Sequence, residues 1–324
     1  MIIESSFRAP WWLSNPHSQT LYPFLMRSIK APVDKTERLE LADGDFIDLF
    51  WAINGLRADT PLVLLLHGLG GSIHSKYVAG FMQAFNEHGW RVVLMHFRGA
   101  SEEPNRLLRA YHSGETSDLS EVLSLLSQRE PKTAKAVVGV SLGGNVLLKW
   151  LGEHSKQKFI HAAVAVSVPF QLVKVANRMG YGFARIYQAY LLKSIRSVFE
   201  RKRLLYKDHV PEPLQNLNKW HCFWTFDDKV TAPLHGFKHA HQYYREASSL
   251  PYLCQISTPT LIIHSLDDPF MTPDVVPKED EISKDVLFEL SQKGGHVGFI
   301  GSNHSGTPFY WLDQRIPEFL ADFF

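Results

Sequence analysis

The chain has 324 residues, 45% of them hydrophobic, 12% aromatic and 21% charged, a composition that excludes a disordered or fibrous protein. At roughly 150 residues per domain this length fits about two domains, or one α/β unit of about 200 to 250 residues carrying an insertion. Its 34 Lys and Arg against 33 Asp and Glu leave a formal charge of +1, without the excess of a general nucleic-acid binder.

In chain order, residues 1–35 are rich in Pro, Trp, Ser and Asn with no clean period and read as an irregular N-terminal arm. The start lacks the cationic and apolar stretches of a signal peptide. Thr36–Leu41 and Phe46–Ala52 alternate around Ala42-Asp43-Gly44-Asp45, good turn chemistry for an antiparallel hairpin. From Pro61 the pattern becomes continuous apolar runs, Leu62–Leu66, Val92–Met95 and Ala136–Val138, each followed by an amphipathic stretch: Tyr77–Glu87, Asp118–Ser127 and Gly143–Glu153. Uninterrupted apolar strands alternating with helices require a parallel sheet covered on both faces, hence a doubly wound α/β core. A further strand, Ala162–Val168, stops at Pro169.

Strand signals then vanish, and residues 171–218 read as a helical cap inserted between core segments 36–170 and 219–324. Strands return at Thr260–His264 and Val286–Leu290, before an amphipathic end from Trp311 to Phe323. No apolar run nears the roughly 20 residues that span a bilayer. With only Cys222 and Cys254 there is neither a disulfide framework nor a thiolate cluster for zinc. A cytoplasmic protein is expected.

The strongest chemical signal is Gly139-Val140-Ser141-Leu142-Gly143-Gly144, between an apolar strand and a helix. A serine at so sharp a turn needs small neighbours two before and two after it, and Gly139 and Gly143 supply them as in a nucleophile elbow. The following helix aims its unpaired N–H groups at the reacting centre. A serine hydroxyl needs a base and an orienting acid, expected in the order Ser, Asp, His. Asp267-Asp268 follows the strand at 260–264, and His296 lies in Gly294-Gly295-His296-Val297-Gly298 after the strand at 286–290. All fall at the carboxyl edge of the sheet, where open α/β sheets bind ligands. Asp268 is preferred over Asp267, because the chain must first turn over the sheet edge; Asp267 is then a turn carboxylate.

His67-Gly68-Leu69-Gly70-Gly71 follows the first parallel strand. There Gly68 and Gly70 let backbone approach a substrate oxygen, and Leu69 and Leu142 N–H form the expected oxyanion hole. His67 reads as structural. No phosphate-binding motif matches, and neither metal nor cofactor is called for. His235, His239 and His241 fall within one expected helix that faces surface or cap, without a nearby Asp or Glu to complete a metal motif. Arg98, with Arg106, Arg109, Tyr111 and His112 downstream, reads either as shaping the pocket or as a buried tie between loops.

From 171 to 203 eight cations stand against Glu200 alone, a net +7 that leaves −6 for the rest. Apolar residues lie between them at helical spacing, as on a helix that meets an anionic membrane surface or a partner.

Together these motifs resemble the YheT-like group of α/β-hydrolases, bacterial relatives of eukaryotic abhydrolase-domain lipases and esterases. Asn15–Pro23, His67–Gly71, His96-Phe97-Arg98-Gly99, Gly139–Asn145, Leu266–Phe270 and Gly294–Gly298 carry the likeness. It implies an α/β-hydrolase fold and a serine hydrolase acting on carboxylic esters, lipid or acylglycerol esters included, with Ser141, Asp268 and His296 as triad. Eukaryotic members carry an N-terminal anchor that this sequence does not show. The rival readings are an acyltransferase using the same triad and a non-catalytic scaffold of the same fold.

Overall fold

The computed structural model describes residues 1–206, 211–303 and 305–324. Its main sheet has nine strands: β1 (Ile2–Glu4), β2 (Lys35–Glu40), β3 (Phe46–Ala52), β4 (Leu62–Leu66), β5 (Arg91–Met95), β6 (Lys135–Val140), β7 (Ala162–Val166), β8 (Thr260–Ser265) and β9 (Val286–Ser291). Their spatial order is β1-β9-β8-β7-β6-β4-β5-β3-β2. All neighbours pair in parallel except β2 with β3 and β3 with β5. The expected hairpin forms with Glu40 opposite Phe46.

Every residue of β4, β5, β6 and β7 is buried. Because side chains alternate across a strand, Leu64 and Val137 enter one core with Leu147 and Trp150, while Leu65 and Val138 enter the opposite one with Phe81 and Ile316. The covering helices are α1 (Pro16–Met26), α2 (Lys76–Glu87), α3 (Ser117–Arg129) and α4 (Leu142–Glu153), with a C-terminal helix at Leu312–Leu320.

The first 35 residues are not irregular. Their first strand pairs with β9, with Ile3 opposite Glu289, and α1 begins where the Asn15 side chain accepts N–H bonds from His17 at 2.9 Å and Ser18 at 3.4 Å. Pro16 occupies the first turn, where a missing N–H costs nothing. The strand expected to reach Val168 ends at Val166, because Ser167 takes φ +52° and leaves the sheet.

Above the carboxyl edge lie α5 (Leu172–Met179) and α6 (Ala184–Tyr206). Within the expected 171–218 cap, residues 207–210 lie outside those described. The helical layer continues past 218, through a π-helical turn at Asp227–Thr231 to a helix at Ala240–Ala247. Phe226, Tyr243 and Tyr244 share one apolar cluster with Leu172, Ala176 and Phe199, so this layer has a core distinct from those flanking the sheet.

Candidate active site

Ser141 sits between β6 and α4 at φ +53° and ψ −116°, anchored by its N–H to Val166 C=O at 2.8 Å. A Cβ on Gly139 would lie 2.5 Å from Gly143 O, and one on Gly143 would lie 2.6 Å from both Leu66 O and His67 O. Any larger residue would force α4 away from the strand ends, so the two glycines fix the serine where the helix N-terminus meets the sheet edge.

His296 Nε2 lies 3.0 Å from Ser141 Oγ, and Nδ1 lies 2.7 Å from Asp268 Oδ2. Asp268 is almost fully buried, and its other oxygen accepts the Phe270 N–H at 2.9 Å. The Phe270 ring stacks on the imidazole at 3.9 Å and 13°. Of the adjacent carboxylates, Asp268 faces the histidine, whereas Asp267 accepts the Gly295 N–H at 2.9 Å and supports the loop. Burial pushes the Asp267 carboxyl above the ordinary range.

The His67–Gly71 segment turns beside Ser141, with Gly71 N–H bonded to Gly68 C=O at 2.9 Å and Gly70 at φ +68°. A Cβ on Gly68 would stand 3.3 Å from Ser141 Cβ. Gly68 N–H donates to the Tyr77 hydroxyl and Gly70 N–H to the Tyr111 hydroxyl, each at 2.8 Å. Those two bonds occupy the amides on either side of Leu69. His67 is fully buried: Nδ1 bonds Gly68 C=O at 2.8 Å and Nε2 accepts the Phe97 N–H at 3.2 Å. Burial lowers it to about 4, so it stays neutral and holds the loop.

Several residues that the sequence pattern did not single out for this site hold the histidine loop. Thr20 Oγ1 accepts the His296 N–H at 2.9 Å, Ser167 Oγ accepts the Val297 N–H at 3.0 Å, and Ser265 donates to Gly295 C=O at 2.8 Å. Gln19, fully buried, accepts the Ile300 N–H at 2.7 Å and donates to Leu13 C=O at 2.9 Å and Ile300 C=O at 3.0 Å. A Cβ on Gly298 would lie 2.4 Å from Gln19 O. The usable signal was the Asn15-Pro16 pair, a helix-start signature that would have set Gln19 and Thr20 on one helical turn.

A cavity of about 450 Å³ opens at Ser141 and runs beneath the helical layer, between apolar walls that include Leu172, Met179, Leu191 and Val198. At one point the wall turns polar. Asp227 accepts from Thr231 at 2.6 Å and from Tyr244 at 2.7 Å, and burial raises its carboxyl to about 6. His235, His239 and His241 do not share one helix. His239 caps the helix starting at Ala240, and His235, in a separate segment, contacts Thr231 O and Ala110 O, each at 2.7 Å. Among the described residues no group of three potential ligands could hold a metal ion. Arg98 is a buried tie, bonded to both Asp118 oxygens and to Asp43 at 2.7 Å, and to Asp45 at 3.2 Å.

The alpha/beta hydrolase fold family pattern matches residues 61–302. YheT of Escherichia coli, named as a candidate esterase, is 43% identical over 96% of this chain and 91% of its own length. The chain belongs to the YheT-like α/β-hydrolases. The human phospholipase ABHD3 is similar at 27% identity over 93% of this chain and 75% of its own. The solved esterase Pf2001 of Pyrococcus furiosus superposes with a TM-score of 0.59 at 19% identity, covering 98% of this chain and 99% of that one, which shows the shared fold. This YheT-like chain is therefore an esterase- or lipase-type hydrolase. Among its described residues no helix is long and apolar enough to cross a membrane.

Proposed function

We propose that the protein hydrolyses carboxylic esters, lipid or acylglycerol esters among them, through an acyl-enzyme. Ser141 Oγ attacks the carbonyl while His296 Nε2 takes its proton and returns it to the leaving alcohol. Asp268 holds the Nδ1–H tautomer and stabilises the imidazolium. Leu69 and Leu142 N–H bind the oxyanion, with the N-terminus of α4 adding its field. A water activated by His296 then releases the acid.

The observation that carries this reading is the continuous chain from Ser141 Oγ through His296, at 3.0 Å, to Asp268, at 2.7 Å. The apolar cavity supports a long acyl chain, and the esterase and phospholipase names of the relatives support ester chemistry. We read residues 1–35 as the arm, 36–170 with 219–324 as carrying the catalytic core and 171–218, together with the helical layer that continues past 218, as the access-controlling cap of an enzyme working in the cytoplasm, its basic cap in contact with anionic membrane.

The test is Ser141→Ala, assayed with short-chain aryl esters. Nucleophile removal in enzymes of this logic costs on the order of 10⁶ in kcat, and a fluorophosphonate should label the parent at Ser141 and not the variant. Near-full turnover by folded Ser141→Ala would refute the mechanism.

A further inference from the structure

The cap's excess of cations does not all reach solvent. Lys202 is buried and donates to the carbonyls of Leu107, at 2.6 Å, and Arg109. Arg201 donates to Gly99 C=O at 2.8 Å, Arg203 pairs with Glu200 at 2.9 Å, Lys174 pairs with Asp274 at 2.8 Å, and Arg196 bonds Trp220 C=O. Arg185 and Lys193 are exposed and have no acidic partner among the described residues, and Arg178 donates to the Tyr181 carbonyl at 3.2 Å, close enough to His17 to disfavour its protonation. The available charge is therefore concentrated at α5 and the first half of α6.

That is also where exposed apolar surface is concentrated. Trp11 is 89% exposed, Leu25 68% and Met26 63%; across from them Ile186 is 58% and Tyr190 60% exposed. These segments are far apart in sequence but joined in space. Phe24 and Tyr190 rings lie 6.0 Å apart, His17 and Phe183 rings 4.4 Å apart, and His17 Nδ1 is 3.0 Å from the Tyr187 hydroxyl. Along α6, Ile186, Tyr190 and Lys193 follow at spacings of four and three and so share one face. Phe24, Ile186 and Tyr190 are more than half exposed yet also line the cavity of Ser141, so they form the rim of its mouth. No Asp or Glu occurs in residues 5–33 or 171–199.

We propose that α1 and the first half of α6 form one docking face for an anionic lipid surface, which seats the mouth of the cavity on the source of its ester. The inference rests on the proposed ester hydrolysis and narrows its membrane contact from the whole cap to this face. Large apolar side chains and cations, on segments that carry no Asp or Glu, match the boundary between acyl chains and acidic headgroups. A protein seated here would close the entrance, whereas a bilayer supplies the substrate through it.

The experiment is co-sedimentation of the full chain with vesicles of phosphatidylcholine, alone or mixed with phosphatidylglycerol. Binding is expected to the mixed vesicles and to fall with added salt. Arg185→Gln/Lys193→Gln should weaken it on the order of 25-fold, at about fivefold per charge. Leu25→Ser/Met26→Ser, which changes neither a catalytic residue nor a cavity wall, should weaken it by about tenfold or more. Both double variants should turn over a soluble short-chain ester like the parent. Equal binding to both vesicle types, or parent-like binding by both variants, would overturn the proposal. Dimerisation abolished by Leu25→Ser/Met26→Ser would also overturn it and assign the face to a second copy. Ser141→Ala should bind vesicles as the parent does. Vesicle binding without hydrolysis of any ester would sink the proposed function alone, and hydrolysis without vesicle binding would sink the docking face alone.

Discussion

Replacing each of the two neighbouring carboxylates in turn gives the sharpest check on the proposed mechanism. Asp268 accepts two hydrogen bonds, from Phe270 N–H at 2.9 Å and from His296 Nδ1 at 2.7 Å, one on each oxygen. An asparagine offers only one acceptor oxygen. If that oxygen stays with Phe270 N–H, the amide NH₂ faces Nδ1 and donates to it. The proton must then sit on Nε2, which can no longer accept from Ser141 Oγ–H across their 3.0 Å contact. In a serine protease of the same logic this tautomer reversal lowers kcat by about 10⁴, or roughly 5.5 kcal/mol of transition-state stabilisation. Asp268→Asn should therefore cost 10³- to 10⁴-fold in kcat with little change in KM. Asp267 accepts the Gly295 N–H in the histidine loop, an interaction that an asparagine oxygen can keep. Asp267→Asn should stay within about tenfold of the parent. Steady-state kinetics on an aryl ester, with circular dichroism to verify folding, measures both. The reverse ranking, or near-parent kcat in folded Asp268→Asn, would refute the assignment.

Asp227 links stability to pH. Its carboxyl stands at about 6 in the fold against an ordinary 3.8 because burial disfavours the anion, so the native state holds the proton over that interval and stability falls as pH rises from about 4 through 6. At roughly 1.4 kcal/mol per pH unit the loss approaches 3 kcal/mol; Asp227→Asn should flatten urea midpoints between pH 4 and 7.5, and an unchanged pH slope would count against it. Arg98 neutralises Asp118 and Asp45, both buried, so Arg98→Met should lower unfolding stability by about 3–5 kcal/mol; a loss below about 1 kcal/mol in urea titration would show that the cluster is not held by this charge.

Much of the core was legible because its signals are local. Apolar runs long enough only for strands, amphipathic segments between them and a glycine-flanked serine at one such junction all lie within a few residues of one another. Once the parallel sheet is granted, Asp268 and His296 must lie at the same edge as Ser141, since each follows its strand's carboxyl end. The choice of Asp268 over Asp267 also came from local geometry, through the number of residues needed to turn over that edge.

Tertiary structure decided what depends on contacts between distant segments. The first strand is three residues long, too short for any period, and exists because it pairs with β9. Gln19 and Thr20 belong to the site only because α1 packs against the histidine loop. The charge count from 171 to 203 is a sequence property, but its meaning is not. A guanidinium or ammonium that bonds a buried carbonyl or a carboxylate is no longer available to a surface, and only the folded chain shows that Lys202 is bonded inside while Arg185 and Lys193 remain exposed on α6. Sequence by itself thus determined the fold class and which side chains meet at the sheet edge, because backbone periodicity and turn sterics act over a few residues. Packing decided what supports that chemistry and which surface leads to it, because burial and charge pairing are set by neighbours in space.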